Sequence, residues 1–89
     1  MENTLCPVDV IAMYSADGEI TPLRLRMADS EETPLRVDIL EILKARQIPY
    51  AGAEAHVFLC RARAAGRELV VELKYSIRSH SWCLMRKIQ

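Results

Sequence analysis

An Asp-Gly pair with alternating apolar residues on both sides leaves a chain little choice but to double back, and Asp17-Gly18 is placed in that way. Glycine reaches the positive φ of a tight hairpin turn without a Cβ clash. Upstream, Val8 to Ser15 is rich in β-branched and aromatic residues, with Val8, Val10, Ala12 and Tyr14 on one side. Downstream, Leu23, Leu25 and Met27 alternate with Arg24 and Arg26, the period-2 pattern of a half-buried strand. Pro22 lacks an N–H, so this second strand either starts near it or runs along an edge there.

The C-terminal part continues in the same style. From His56 to Ala64, Phe58, Cys60 and Ala62 take one face, and Val57, Leu59, Arg61 and Arg63 the other. Ala65-Gly66-Arg67 turns the chain. Glu68 to Arg78 is the cleanest strand, with Leu69, Val71, Leu73, Tyr75 and Ile77 facing in and Val70, Glu72, Lys74, Ser76 and Arg78 facing out. Ser79-His80-Ser81 predicts another turn, and Trp82 to Lys87 a closing strand. Consecutive hairpins make an antiparallel meander, and a short meander of several strands hides its edges by curling.

Residues 34–47 read two ways. As a helix, Thr33 would cap it, Pro34 would take its first position, and Leu35, Ile39, Ile42 and Leu43 would form an apolar stripe. As a strand, Val37 and Ile39 alternate with Arg36 and Asp38, and a bulge near Leu40 would carry the alternation on to Ile42. Asp29 to Thr33 before it is an acidic loop, and Ile48 to Ala53 breaks whichever element it is.

With 89 residues the chain suits one domain, 1–89, and 51% hydrophobic residues is an ordinary globular level. No apolar run is long enough to span a bilayer, and the N-terminus lacks the basic start and apolar stretch of a signal peptide, so a cytoplasmic address is expected. Cys6, Cys60 and Cys83 are an odd set without a C-x-x-C spacing, which reads as reduced thiols. The net charge is zero but divided: residues 1–45 carry −5 and residues 46–89 carry +5. Such asymmetry marks either a polyanion-binding half or two halves whose charges pair across neighbouring strands.

Catalytic and metal constellations are weak. His56, Cys60, His80 and Cys83 are zinc-ligand types, but on a strand His56 and Cys60 lie about 13 Å apart, so no cofactor is expected. Cys60 sits beside Phe58 on an apolar face, where a thiol is a poor nucleophile. Glu31-Glu32 and Asp17/Glu19 read as solvated turn residues. The most specific binding idea is a single-stranded nucleic-acid surface formed by Arg61, Arg63, Arg67, Lys74, Arg78, Arg86 and Lys87, with Trp82 and Tyr50 as stacking rings. Trp82 reads more readily as a core anchor than as a stacking platform, and five aromatic residues and a pI near 6.7 are poor provision for such a surface.

Pro7-Val8-Asp9-Val10, Asp17-Gly18, Ile20-Thr21-Pro22-Leu23-Arg24, Ala51-Gly52, Phe58-Leu59-Cys60-Arg61 and Trp82-Cys83-Leu84 together form a pattern over most of the chain. In it the sequence resembles a group of small bacterial proteins with no assigned activity. The resemblance implies a small β-barrel, and it implies that Leu35 to Gln47 is a strand. The chain departs from the group in a longer acidic insertion around Asp29 to Thr33 and a fuller Ser79-His80-Ser81 turn.

The expected fold is therefore mainly β, a small antiparallel meander of five or six strands closing into a barrel-like sheet. The alternative is α+β with a helix at about 34–47. The expected function is non-catalytic binding of a partner protein, with a single-stranded nucleic-acid accessory role as the alternative. A homodimer would suit so small a domain with an edge near Pro22.

Overall fold

The structure, a computed structural model, describes residues 6–28, 33–49 and 53–88, and these are all-β with no helix among them. Seven strands follow one another: β1 (Cys6–Pro7), β2 (Asp9–Tyr14), β3 (Ile20–Ala28), β4 (Pro34–Ile48), β5 (Ala55–Ala64), β6 (Arg67–Ser76) and β7 (Ser81–Lys87). All pairings are antiparallel, in the order β1-β7-β6-β5-β4-β3-β2. The two outermost strands, β1 and β2, are separated in the chain by Val8 alone, so the sheet must curl into a half-barrel to place them. The Val8 N–H donates to the Trp82 carbonyl at 3.2 Å, carrying the β1–β7 pairing one residue further. Seven strands appear where five or six were expected because the leading strand divides at Val8. Its first part pairs with β7 and its second with β3.

The Asp17-Gly18 hairpin forms, with a loop one residue longer than a two-residue turn. The Ser15 carbonyl accepts from the Gly18 N–H (3.0 Å) and the Ser15 N–H donates to the Glu19 carbonyl (2.8 Å), enclosing Ala16, Asp17 and Gly18. Gly18 alone in that loop has positive φ, +93°. This is the three-residue hairpin in which glycine ends a type I turn. The β5–β6 turn is the two-residue kind, with Ala65 at φ 52° and Gly66 at φ 77°.

Residues 34–48 are one strand, so the helix alternative is set aside. Register shifts between Ile39 and Glu41 and between Ile42 and Lys44 leave Leu40 and Leu43 as extra residues. The bulge expected near Leu40 is the first of these. Without it, Ile39 and Ile42 could not both face the core.

One continuous core fills the concave side: Leu25, Val37, Phe58, Cys60, Ala62, Val71, Leu73, Tyr75, Trp82 and Leu84, with Val10, Ile39 and Ile42 packed against it. Two expected inward residues are elsewhere. A register shift opposite Ile11 and Ala12 puts Leu23 out in solvent and buries Pro22 instead. Ile77 lies past the end of β6, in the exposed turn before β7. Among the described residues no helix is long and apolar enough to cross a membrane.

Candidate functional site

The site follows from a mismatch of strand lengths. β4 has 15 residues, and β3 pairs only with its first five, Pro34–Asp38. Among the described residues, β4 is paired from Ile39 to Ile48 with β5 alone. Pro22, on the stretch of β3 that leaves β4, is the expected edge proline.

The hydrogen-bond phase of the open stretch can be deduced. The two-residue turn at Ala65-Gly66 makes Ala64 and Arg67 a bonded pair, and the Ile77 N–H to Glu54 carbonyl bond (3.0 Å) sets the same phase at the other end of that ladder. Even-numbered residues of β5 therefore bond to β6. Ala55, Val57, Leu59, Arg61 and Arg63 aim their backbone groups at β4, where their partners are Ile48, Arg46, Lys44, Glu41 and Asp38. By alternation, Ile39, Ile42, Ala45 and Gln47 turn their N–H and C=O groups toward the open side. β2 also pairs on one side only, but over six residues against ten.

Beside this edge lies a cleft of about 430 Å³. Asp17 to Thr21 of the first hairpin form one wall, and Ile42, Ala45 and Gln47 of β4 form the other, with His56 and Phe58 at the base. Ala45 and Gln47 stand opposite Phe58 and His56, on the inward side of the sheet, and are nevertheless exposed. The concave face is thus open to water here.

Beneath the cleft sits an aromatic cluster that was not anticipated from the sequence. His56 stacks on Phe58 (centroids 6.2 Å apart) and on Tyr75 (6.4 Å), and Phe58 and Tyr75 both pack on Trp82 (5.9 and 4.9 Å). Tyr14 meets Tyr75 edge-on, and the Tyr75 hydroxyl lies 3.1 Å from His80 Nδ1. Burial, followed by the nearby Tyr14, raises the Tyr75 hydroxyl above the usual phenol range. The signal was present in the tight turn at Ala65-Gly66, which puts His56 directly opposite Tyr75.

Charge is distributed unequally around the cleft. The Ser15 hydroxyl and the Glu19 backbone bond Asp17 and hold its carboxyl below the ordinary range. Among the described residues, the carboxylates without an ion pair are Asp17, Glu19 and Glu54, and the first two line the cleft. On the other face of β4 and β5, Lys44, Arg46 and Arg86 surround Glu72 over a floor of Val57 and Leu59. Glu72 is 8% exposed and takes Arg86 at 2.9 Å and Arg46 at 4.0 Å. Lys44 has no ion pair among the described residues.

The basic residues singled out in the sequence do not form one stripe. Arg61 bonds Glu41 and Glu68, both at 3.2 Å, and these carboxylates, Glu41 first, push its guanidinium still higher. Arg63 reaches Glu68 at 3.5 Å and Arg86 is taken by Glu72. Arg67 begins β6 and Arg78 lies in the turn beyond its far end, with Lys74 between them, and Lys87 ends β7. Trp82 is buried in the core, and Tyr50 lies outside the described residues. Of the ion pairs among the described residues, Arg61–Glu41 alone joins the acidic and basic halves; the others form within each half.

Burial pushes the Cys60 thiol up to about 12, which suits a core residue and not a nucleophile. Among the described residues no group of three or more His, Cys, Asp or Glu side chains comes together to hold a metal ion.

Fold and site together define an antiparallel half-barrel whose longest strand is left open on one side over a polar-rimmed cleft. Family models, curated proteins and solved structures were compared with the chain, and none of the three gives a match.

Proposed function

We propose that the chain is a non-catalytic protein-interaction module that receives an extended segment of a partner along the open side of β4. One observation carries this reading: Ile39, Ile42, Ala45 and Gln47 direct backbone donors and acceptors away from the sheet, next to a cleft that an added strand would cover. Free edges are ordinarily blunted by short strands, inward charges or covering loops, because they invite pairing. The bulges at Leu40 and Leu43 and the exposed Lys44 guard this edge in part, yet it runs for ten residues with no second strand paired to it among the described residues.

Amide exchange tests the edge directly. In the free protein, the amides of Ile42, Ala45 and Gln47 should exchange about tenfold or more faster than those of Glu41, Lys44 and Arg46. A bound partner should protect the first set and leave the second unchanged. Ala45→Pro removes an N–H from the open side while sparing the β5 ladder, so it should abolish binding at small cost to stability. Peptides selected from a random display library that bind wild type and Ala45→Pro equally would sink the proposal.

A nucleic-acid surface is the weaker reading, because Arg61, Arg63 and Arg86 are engaged by carboxylates and the remaining cations are dispersed. A labelled single-stranded oligonucleotide should show no salt-dependent binding. Steeply salt-dependent binding, lost on changing Arg67, Lys74 and Arg78, would restore that reading.

A further inference from the structure

The two faces of the open strand present opposite charge, and that gives the added segment a pattern. Residues of an incoming strand alternate between the faces, so those opposite Ile42, Ala45 and Gln47 enter the cleft, and those opposite Glu41, Lys44 and Arg46 lie outside. Inside, the wall formed by the first hairpin offers Asp17 and Glu19, which no described cation pairs. The base is the half-buried imidazole of His56, with the buried ring of Phe58 beside it. Outside, Lys44 has no ion pair among the described residues, and Arg46 shares Glu72 with Arg86 at the longer distance, 4.0 Å against 2.9 Å.

We infer that the open side of β4 selects an extended partner segment of alternating charge, with basic side chains entering the cleft between Asp17 and Glu19 and acidic side chains lying over Lys44 and Arg46. This rests on the strand-addition reading and specifies its partner. A neutral or uniformly charged strand would leave one face of the edge uncompensated. Two or three cross-strand charge pairs together amount to about tenfold in affinity.

Four capped peptides of about ten residues, the length of the open edge, test this by NMR titration at low salt: alternating Arg-Glu, Arg-Thr, Glu-Thr and Gln-Thr. The Arg-Glu peptide should bind about tenfold or more tighter than Gln-Thr, with the singly charged peptides between them. Asp17→Asn with Glu19→Gln should bring Arg-Thr down to the Gln-Thr level and leave Glu-Thr unchanged; asparagine before Gly18 keeps the turn. Should that double variant unfold, Glu19→Gln alone gives the same test with a smaller effect. Lys44→Gln should weaken only the peptides containing glutamate. Equal binding of all four peptides, still lost in Ala45→Pro, would overturn the charge rule and leave strand addition standing. No binding of any of them to the wild type would overturn both. A dimer that forms with rising concentration and disappears in Ala45→Pro would overturn the inference in favour of a second copy of this chain.

Discussion

β4 is two strands in one, and its parts differ in a way that separates stability from availability. Over Pro34–Asp38 it is paired with β3, meeting β5 only at Asp38, and Val37 is completely buried. Over Ile39–Ile48 it is paired on one side, and its inward residues Ala45 and Gln47 are open to water. The first part closes the sheet and holds the core. The second is held by β5 alone, which leaves a full set of backbone groups for something else. The bulge at Leu40 falls where one part gives way to the other, and that at Leu43 lies within the open part. Bulges add twist and bend a strand away from its neighbour, which accounts for the parting of β3 and β4.

The largest test of this contrast is a pair of truncations. Leu25→Ala, buried opposite Val37 of the first part, should cost about 2–5 kcal/mol in urea denaturation, while Leu43→Ala, exposed on the second part, should cost about 0.5 kcal/mol or less. Comparable losses would mean that the two parts are one cooperative wall.

Cys60 sharpens the boundary, because it faces Ile42 where the open part begins. Its thiol, held up to about 12 by burial, is protonated in the folded chain at pH values where an unfolded thiol ionises. Folding stability should therefore be intact below the ordinary thiol range and fall as pH rises from that range toward 12. Cys60→Ala should flatten this alkaline limb. A disulfide reagent should modify exposed Cys6 readily and Cys60 only on unfolding. Rapid labelling of Cys60 would show that water enters the cleft past Ile42.

The smallest effect belongs to the turn that sets the hydrogen-bond phase. Ala65 occupies the left-handed region, where asparagine or glycine is better tolerated, so Ala65→Asn should stabilise by about 0.5–1 kcal/mol. The exchange pattern of β4 should not change, since the phase is already set.

Much of this architecture is legible in the sequence where periodicity is uninterrupted. The alternation from Leu69 to Tyr75 and the glycine turns at Gly18 and Gly66 lead directly to the observed strands. β4 resists the same treatment for a physical reason. Each bulge inserts one residue, so Ile39, Ile42 and Ala45 face inward at a spacing of three, the spacing that also makes an apolar helix stripe. The candidate site was half legible. Pro22 pointed to an edge, but the cleft exists because β3 leaves β4 after Asp38, and that depends on register. Register also decides that Glu41, Glu68 and Glu72 meet Arg61, Arg63 and Arg86, which a count of charges by sequence half could not foresee.

The division of the leading strand at Val8 bears on how the chain is made. Cys6 is paired with Leu84, so every residue from Cys6 through Leu84 must leave the ribosome before that contact can form. Until then a nascent chain can assemble its hairpins one after another, each from neighbouring residues, while its first strand waits for its last. During synthesis β1 is a loose end, and the arrival of Trp82, Cys83 and Leu84 fastens it. A chain stalled short of these residues would display two unfinished strand edges, the state in which antiparallel sheets most readily capture one another.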